Sequence, residues 1–233
     1  MWNECCAKSK QTHLKKREAL PSLNYTKRGF RLKDGRLHLA GGIDWGVEET
    51  ATTTSDAHDL PHAEHGKNAA QRLARYQRMM ARRKPAKGKP GSKGYQRAKK
   101  QVAKLHKKVA RQRQDTGRKW AKSVVRAHDA LAVEDFRPKF LAKSTMAHKA
   151  ADAAISATKT ALVEMGRKHG RAVHLVHPAH TTMDCAQCGA RTKHALPLSE
   201  RTYTCTACGA VSPRDKNSAR VMLVRAGLHP GWC

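Results

Sequence analysis

Strands that alternate with helices along the chain predict an α/β fold, with helices packed against a sheet and a small cysteine-ligated module near the end. Three observations carry this. Short apolar or β-branched runs are bounded by turn residues, a long basic stretch between them has helical periodicity, and two Cys-x-x-Cys pairs, Cys185/Cys188 and Cys205/Cys208, stand sixteen residues apart.

Taken in order, Met1 to Leu20 fits a short basic helix, and Phe30-Arg31-Leu32 with Leu37-His38-Leu39 fits a hairpin about Asp34-Gly35. Gly41-Gly42-Ile43-Asp44-Trp45-Gly46-Val47 predicts a strand that turns near Glu48-Glu49 and returns through the Thr-rich Ala51 to Ser55. From Lys67 to Arg126 the chain has 22 Lys and Arg against one acid, Asp115, so this stretch alone carries 22 − 1 = +21. Pro85 to Gly94, with two prolines and three glycines, divides it into a helical hairpin. On the second helix Ala98, Val102, Leu105 and Val109 recur at spacings of four, three and four. That stripe is expected to pack on the sheet, leaving Arg97, Lys100, Lys104 and Lys108 to face a nucleic-acid backbone. Ala130 to Phe136 is a buried strand with Glu134 and Asp135 at its exit. Ala151, Ile155, Leu162 and Met165 fit one face of a single helix ended by Gly170, and Val173 to Val176 is a further strand. Ser212 or Pro213 starts a last helix through Ala219, Val221, Met222 and Val224.

Composition narrows the partners. The 233 residues, enough for one large domain or two small ones, hold 47 Lys and Arg against 18 Asp and Glu, a net charge of +29 and a pI near 10.4. Such a chain is built to neutralise phosphates. An anionic membrane is the competing partner, but no apolar run approaches the roughly 18 to 20 residues of a spanning helix, so a soluble intracellular protein is expected. Aromatic residues make up only 5%, which favours backbone electrostatics over stacking on many rings.

Four thiolates at the observed spacing suit a tetrahedral zinc cage, and the Gly-Ala after each pair (Gly189-Ala190, Gly209-Ala210) lets the chain turn tightly around a metal. Two disulfides are the alternative, disfavoured in a chain without a recognisable signal peptide. A catalytic zinc fits less well, since four sulfurs leave no position for water. Cys5, Cys6 and Cys233 stand apart as reduced thiols without an assigned role.

Asp44 falls in the first long strand, Glu134 at the end of a later one and Asp215 in the first turn of the last helix. Any one of them alone is ordinarily a turn or cap residue. Three acids at strand ends and a helix start can instead converge and hold two Mg²⁺ or Mn²⁺ ions, roughly 4 Å apart, of the kind that stabilise both attacking and leaving oxygens of a phosphodiester.

Gly42-Ile43-Asp44-Trp45-Gly46-Val47, Val133-Glu134-Asp135-Phe136 and Arg214-Asp215-Lys216-Asn217-Ser218-Ala219 resemble the three motifs of the RuvC nuclease domain of the TnpB (OrfB) transposon proteins, relatives of the type V CRISPR effectors. Pro178 to Thr182 resembles that family's approach to its ribbon, and the likeness covers about residues 41 to 226. It implies an RNase H-like (RuvC) mixed sheet with flanking helices over 41–181 and 212–226, a basic helical hairpin insertion at 67–127 and an inserted four-cysteine zinc ribbon at 182–211. It also implies an RNA-guided, Mg²⁺- or Mn²⁺-dependent DNA endonuclease, with guide RNA and target DNA as partners. Asp44, Glu134 and Asp215 would be its metal-binding acids, and Asp135 a supporting or structural neighbour. The setting would be a prokaryotic cytoplasm, on the nucleoid. Two departures stand out: Asn217-Ser218-Ala219 replaces the family's usual Asn-Ala-Ala, and only 40 residues, read as a remnant of a wedge-type region, precede Gly41, with 227–233 as a tail. The alternative is an inactive or decayed nucleic-acid-binding fragment that acts as a repressor or ribonucleoprotein accessory.

Overall fold

The computed structural model describes residues 30–33, 36–136, 146–194, 196–197 and 199–228. The hairpin expected near the start is present: β1 (Phe30–Lys33) pairs antiparallel with the first part of β2 (Arg36–Trp45), from Phe30 opposite Leu39 to Lys33 opposite Arg36. Its turn residues Asp34 and Gly35, the basic helix expected within Met1 to Leu20, and Cys5, Cys6 and Cys233 lie outside the described residues.

The second part of β2 is the centre of the main sheet. On one side it pairs antiparallel with β3 (Glu49–Thr53), which pairs with the short β4 (Leu60–Pro61). On the other it pairs parallel with β5 (Ala130–Glu134), and β5 pairs parallel with β6 (Ala172–Val176). The order β4-β3-β2-β5-β6 makes a mixed sheet, antiparallel where a tight turn joins consecutive strands and parallel where helices cross over.

Because side chains alternate across a strand, the sheet sorts its residues cleanly between two faces. Ile43, Trp45, Leu131 and Val133 lie on one face, in a core completed by Trp120, Ala121, Val124 and Val125 of α2 (Lys93–Ala127) and by Ile155, Ala161 and Leu162 of α4 (Ile155–Lys168). Ala132 and Val176 lie on the other, under Met222 and Leu223 of α5 (Arg214–Arg225). Gly42 shares this second face. A Cβ there would stand 1.8 Å from the Ala219 carbonyl oxygen, so only glycine lets α5 come down onto β2. Gly42→Ala is expected to lower the unfolding temperature by roughly 3–10 °C, the effect of overpacking a close contact. Thermal unfolding by circular dichroism checks it, and an unchanged midpoint would mean that α5 is not seated there.

The basic hairpin is α1 (His65–Arg82) against α2, and here one expectation needs correction. Ala98, Leu105 and Val109 are buried and Val102 partly so, but none joins the cluster on the sheet; Leu105 and Val109 share a groove with Ala69, Ala70 and Leu73 of α1. Length explains it. A helix of 35 residues spans about 52 Å, far more than the sheet it crosses, so the core takes only its final third and α1 covers the overhang.

A second correction concerns the helix after β5. The single helix expected around Ala151 to Met165 is two, α3 (Ala147–Ala153) and α4, broken at Ala154 with φ of 51°, and Ala151 is exposed. Asp152 is the reason for the change of direction. Its carboxylate accepts from the Gly66 amide at 2.7 and 2.9 Å, the Lys67 amide at 3.2 Å and Arg113 Nε at 2.9 Å, which ties α3 to the start of α1 while α4 faces the sheet. No helix of the described residues is long and apolar enough to cross a membrane.

Candidate functional site

Parallel pairing of β2 and β5 puts Ile43 opposite Val133, so the next residues, Asp44 and Glu134, emerge side by side on the face that α5 covers. The two carboxyl groups are close enough that the charge of Glu134 acts on Asp44. The sheet fixes both: the Trp45 amide donates to Glu134 Oε2 at 3.2 Å, and the Trp45 indole N–H donates to the Glu134 carbonyl at 2.9 Å. That indole packs edge-on against Trp120 of α2, ring centroids 5.9 Å apart. Asp44 is 8% exposed and Glu134 7%.

Asp215 stands in the first turn of α5, its side chain 41% exposed and 3.9 Å from Arg201 Nη1; its charge acts on Asp44, but among the described residues only the four cysteines, and not these three acids, bring their ligand atoms within 4.8 Å of one another. Arg201 also reaches Glu48 Oε2, in the turn after β2, at 2.7 Å. Burial, then the charges of Glu134 and Asp215, hold the Asp44 carboxyl well above the usual range, against a weaker pull from Arg214. Burial pushes Glu134 up to about 7, although the Trp45 amide, the Asp44 side chain and Lys159 all oppose it. Two buried acids that resist ionising together form a place where a bound cation would favour their charged forms, in a chain of net charge +29. Their hard oxygen atoms suit Mg²⁺ or Mn²⁺. Beside Glu134 an open groove of about 700 Å³ runs between Asp135 and Phe136 on one side and His177, Pro178 and Thr181 on the other. Asp135 turns away to Lys159 Nζ at 2.7 Å.

The first turns of α5 hold Asp215 in place residue by residue. Arg214 Nη1 donates to the carbonyls of Pro197 at 3.0 Å and Glu200 at 3.4 Å. Lys216 Nζ reaches Asp59 at 2.5 Å, Asp56 at 2.7 Å and the Thr53 carbonyl at 2.9 Å, pinning the helix to the far end of β3. Asn217 binds the loop of the first cysteine pair, Ser218 donates to the Thr181 carbonyl at 3.4 Å, and Ala219 rests on Gly42. Sequence reasoning missed Lys216, Asn217, Arg201 and Trp45. Only Lys216 and Asn217 carried a signal, a Lys and an Asn in the same turn as the acid.

The cysteines form the second cluster. Their four sulfurs lie within 4.8 Å of one another, a group placed to hold one metal ion. Sγ of Cys185 and Cys208 are 3.8 Å apart and those of Cys188 and Cys205 3.6 Å, close to the edge of about 3.8 Å of a tetrahedron with Zn–S bonds near 2.3 Å. The two knuckles repeat one geometry. The Cys185 amide donates to the Ala190 carbonyl and the Cys205 amide to the Ala210 carbonyl, while Gly189 and Gly209 turn with φ of 74° and 70°. The thiols are free, and β7 (Thr202–Thr204) pairs with β8 (Val211–Pro213) beside them. Metal analysis of the full chain is expected to give about one zinc per molecule, lost in Cys205→Ser; a reduced, folded sample without zinc contradicts the cage.

Arg97, Lys100, Lys104 and Lys108 are all exposed, on the overhanging part of α2. By helix rise they stand roughly 18 to 35 Å along the axis from Trp120, so the structure does not gather them at the acids.

Residues 9–145 match the OrfB_IS605 family, described as a probable transposase, and residues 156–222 match the family described as Cas12f1-like, TNB domain. The chain is 31% identical over 196 residues to a Streptomyces pristinaespiralis protein named "Putative RNA-guided DNA endonuclease", covering 83% of this chain and 46% of that protein. It is 33% identical over 136 residues to the "CRISPR-associated DNA-binding protein Cas12m" of Allomeiothermus silvanus, covering 53% of this chain and 25% of the relative. The chain thus spans less than half the length of these relatives. Its fold is similar to a chain in the cryo-EM structure of a Cas12f1–sgRNA–target DNA complex, with a TM-score of 0.55 at 15% identity over 78% of this chain and 48% of that one.

Proposed function

The chain belongs to the OrfB_IS605 family of probable transposases, and from that footing we propose that it is an RNA-guided, Mg²⁺- or Mn²⁺-dependent DNA endonuclease with a RuvC-like, RNase H-type catalytic domain. What supports this reading is Asp44 beside Glu134 at the ends of two paired strands, with the charge of Asp215 on α5 acting on Asp44, in a strongly basic chain. In this reading Asp44, Glu134 and Asp215 hold the divalent cations, which when bound stabilise charge on a phosphodiester and activate water. Asp44 and Glu134 form the rigid half of the site, since each is set by strand pairing and Trp45 clamps Glu134. Asp215 is the solvent-facing third acid, the one from which a DNA strand is approached.

The remaining parts divide the labour. Residues 41–181 and 212–226 make the nuclease domain and 182–211 a structural zinc ribbon. The hairpin supplies backbone affinity through Arg97, Lys100, Lys104 and Lys108. Guide RNA and target DNA are the partners, in a prokaryotic cytoplasm. The relative named as a CRISPR-associated DNA-binding protein favours a second reading, in which the chain acts by occupancy without cutting.

Purification from the native host followed by sequencing of the bound RNA tests the guide. A discrete RNA species is expected. Heterogeneous RNA in proportion to cellular abundance would remove guidance from the proposal.

A further inference from the structure

We infer that Asn217 is a positioning residue through which the cysteine ribbon sets Asp215, so that zinc in the ribbon and a divalent cation at the acids bind cooperatively. The inference rests on the proposal that the acids bind such a cation. Asn217 is 3% exposed, and its amide makes two hydrogen bonds. Nδ2 donates to the Asp184 carbonyl at 2.8 Å, and Oδ1 accepts from the Ala186 amide at 3.0 Å. Asp184 and Ala186 are the two chain neighbours of Cys185. A single side chain therefore grips the peptide groups on both sides of a zinc ligand.

Asn217 and Asp215 sit two residues apart in α5, about 200° around the helix, so the ribbon holds one side of the turn while the acid looks out from the other. The other side-chain contacts of α5 on this side do not touch the peptide groups that flank Cys185. Arg225 reaches the Asp184 carboxylate at 2.6 Å and the His177 carbonyl at 3.0 Å, and Arg214 grips the Pro197 and Glu200 carbonyls. Zinc bound to four sulfurs orders the Cys185 knuckle, and an ordered knuckle presents one carbonyl and one amide at fixed positions. When the knuckle relaxes, a buried amide loses both partners, a costly arrangement that the first turn of α5 relieves by moving. Asp215 moves with it. Linkage then works in both directions: whatever zinc does for cation affinity, the cation does for zinc affinity.

The test measures Mn²⁺ binding to the full-length protein by electron paramagnetic resonance of the free ion, with zinc content and unfolding temperature recorded for every sample. Wild type with zinc is expected to bind Mn²⁺, and Asp215→Asn to bind it weakly. Asn217→Ala that retains its zinc should bind Mn²⁺ roughly 10- to 100-fold more weakly, as for loss of a supporting contact to a ligand. Cys188→Ser, without zinc, should show a similar loss. The combined variant should be no weaker than either alone, because each breaks the same connection. If Asn217→Ala does not retain zinc, Asn217→Asp keeps the acceptor for the Ala186 amide and removes only the donor; lower Mn²⁺ affinity despite the added negative charge supports the same conclusion. Affinity equal to wild type in a zinc-loaded Asn217 variant, or losses that multiply in the combined variant, overturns the inference while leaving the carboxylate site standing. Wild type that binds no Mn²⁺ overturns the carboxylate site itself, and the inference with it.

Discussion

Asp44→Asn is expected to lower Mg²⁺-dependent cleavage by about 10³-fold or more while making the metal-free protein more stable at pH 8. The first effect follows from several kcal/mol of transition-state stabilisation lost with a cation ligand. The second follows from the raised proton affinities. Burial and mutual charge hold Asp44 above the usual carboxylate range, and burial takes Glu134 from 4.5 to about 7. Acids whose folded-state affinity is raised contribute stability that is fully present below their unfolded values and is lost as pH rises through the folded ones. For Glu134 that window runs from about 4.5 to about 7. Above it Glu134 ionises beside Asp44, whose own carboxyl is held above the usual range by burial and by the neighbouring charges, and Asn at position 44 removes the second acid from that buried pair. The variant should gain on the order of 1–2 kcal/mol at pH 8, a midpoint several degrees higher, and little at pH 4. Mg²⁺ should then stabilise wild type and leave the variant unmoved. Thermal melts at the two pH values, with and without Mg²⁺, read all of this. A variant less stable than wild type at pH 8 would show that Asp44 is a structural acid.

The second large effect belongs to the hairpin. Changing Arg97, Lys100, Lys104 and Lys108 together to Ala should weaken binding to unrelated nucleic-acid sequences alike and flatten the salt dependence of log K by about three to four units if each side chain meets one phosphate. All four are exposed, and the buried stripe beside them is held by α1 rather than the sheet, so the change leaves the core alone. Titrations across a salt series measure the slope. Loss confined to one sequence, with the slope unchanged, would mean that the hairpin reads base edges.

Much of this site was legible before any coordinates because its signals are local. The two Cys-x-x-Cys-Gly-Ala repeats state a knuckle outright, and the prolines and glycines between residues 85 and 94 break the basic stretch where the structure breaks it. Asp44 and Glu134 could be placed at strand ends from short runs with β character. What stayed hidden depends on contacts between segments far apart in the chain. The stripe from Ala98 to Val109 has the right period but no mark of which surface covers it, and the length of α2 decides that. Ala151 to Met165 reads as one helix because Asp152 looks like an exposed polar position, whereas it is spent on the start of α1 some 85 residues earlier. Trp45 looks like core and is core, yet its two N–H groups also hold Glu134. Asn217 reads as an ordinary helical polar residue until the ribbon is folded against it.

The most direct test of the central claim is cleavage of DNA complementary to the RNA that accompanies the purified protein. Linear duplexes carrying that sequence, or a scrambled one, would be incubated with wild type and with Asp215→Ala, in Mg²⁺ and in a chelator. The account predicts cutting of the complementary duplex alone, by wild type alone, and only with Mg²⁺, while both proteins bind it with similar affinity. Equal cutting by Asp215→Ala would place the activity elsewhere, and tight, sequence-matched binding by wild type without any cutting would establish the occupancy reading in its stead.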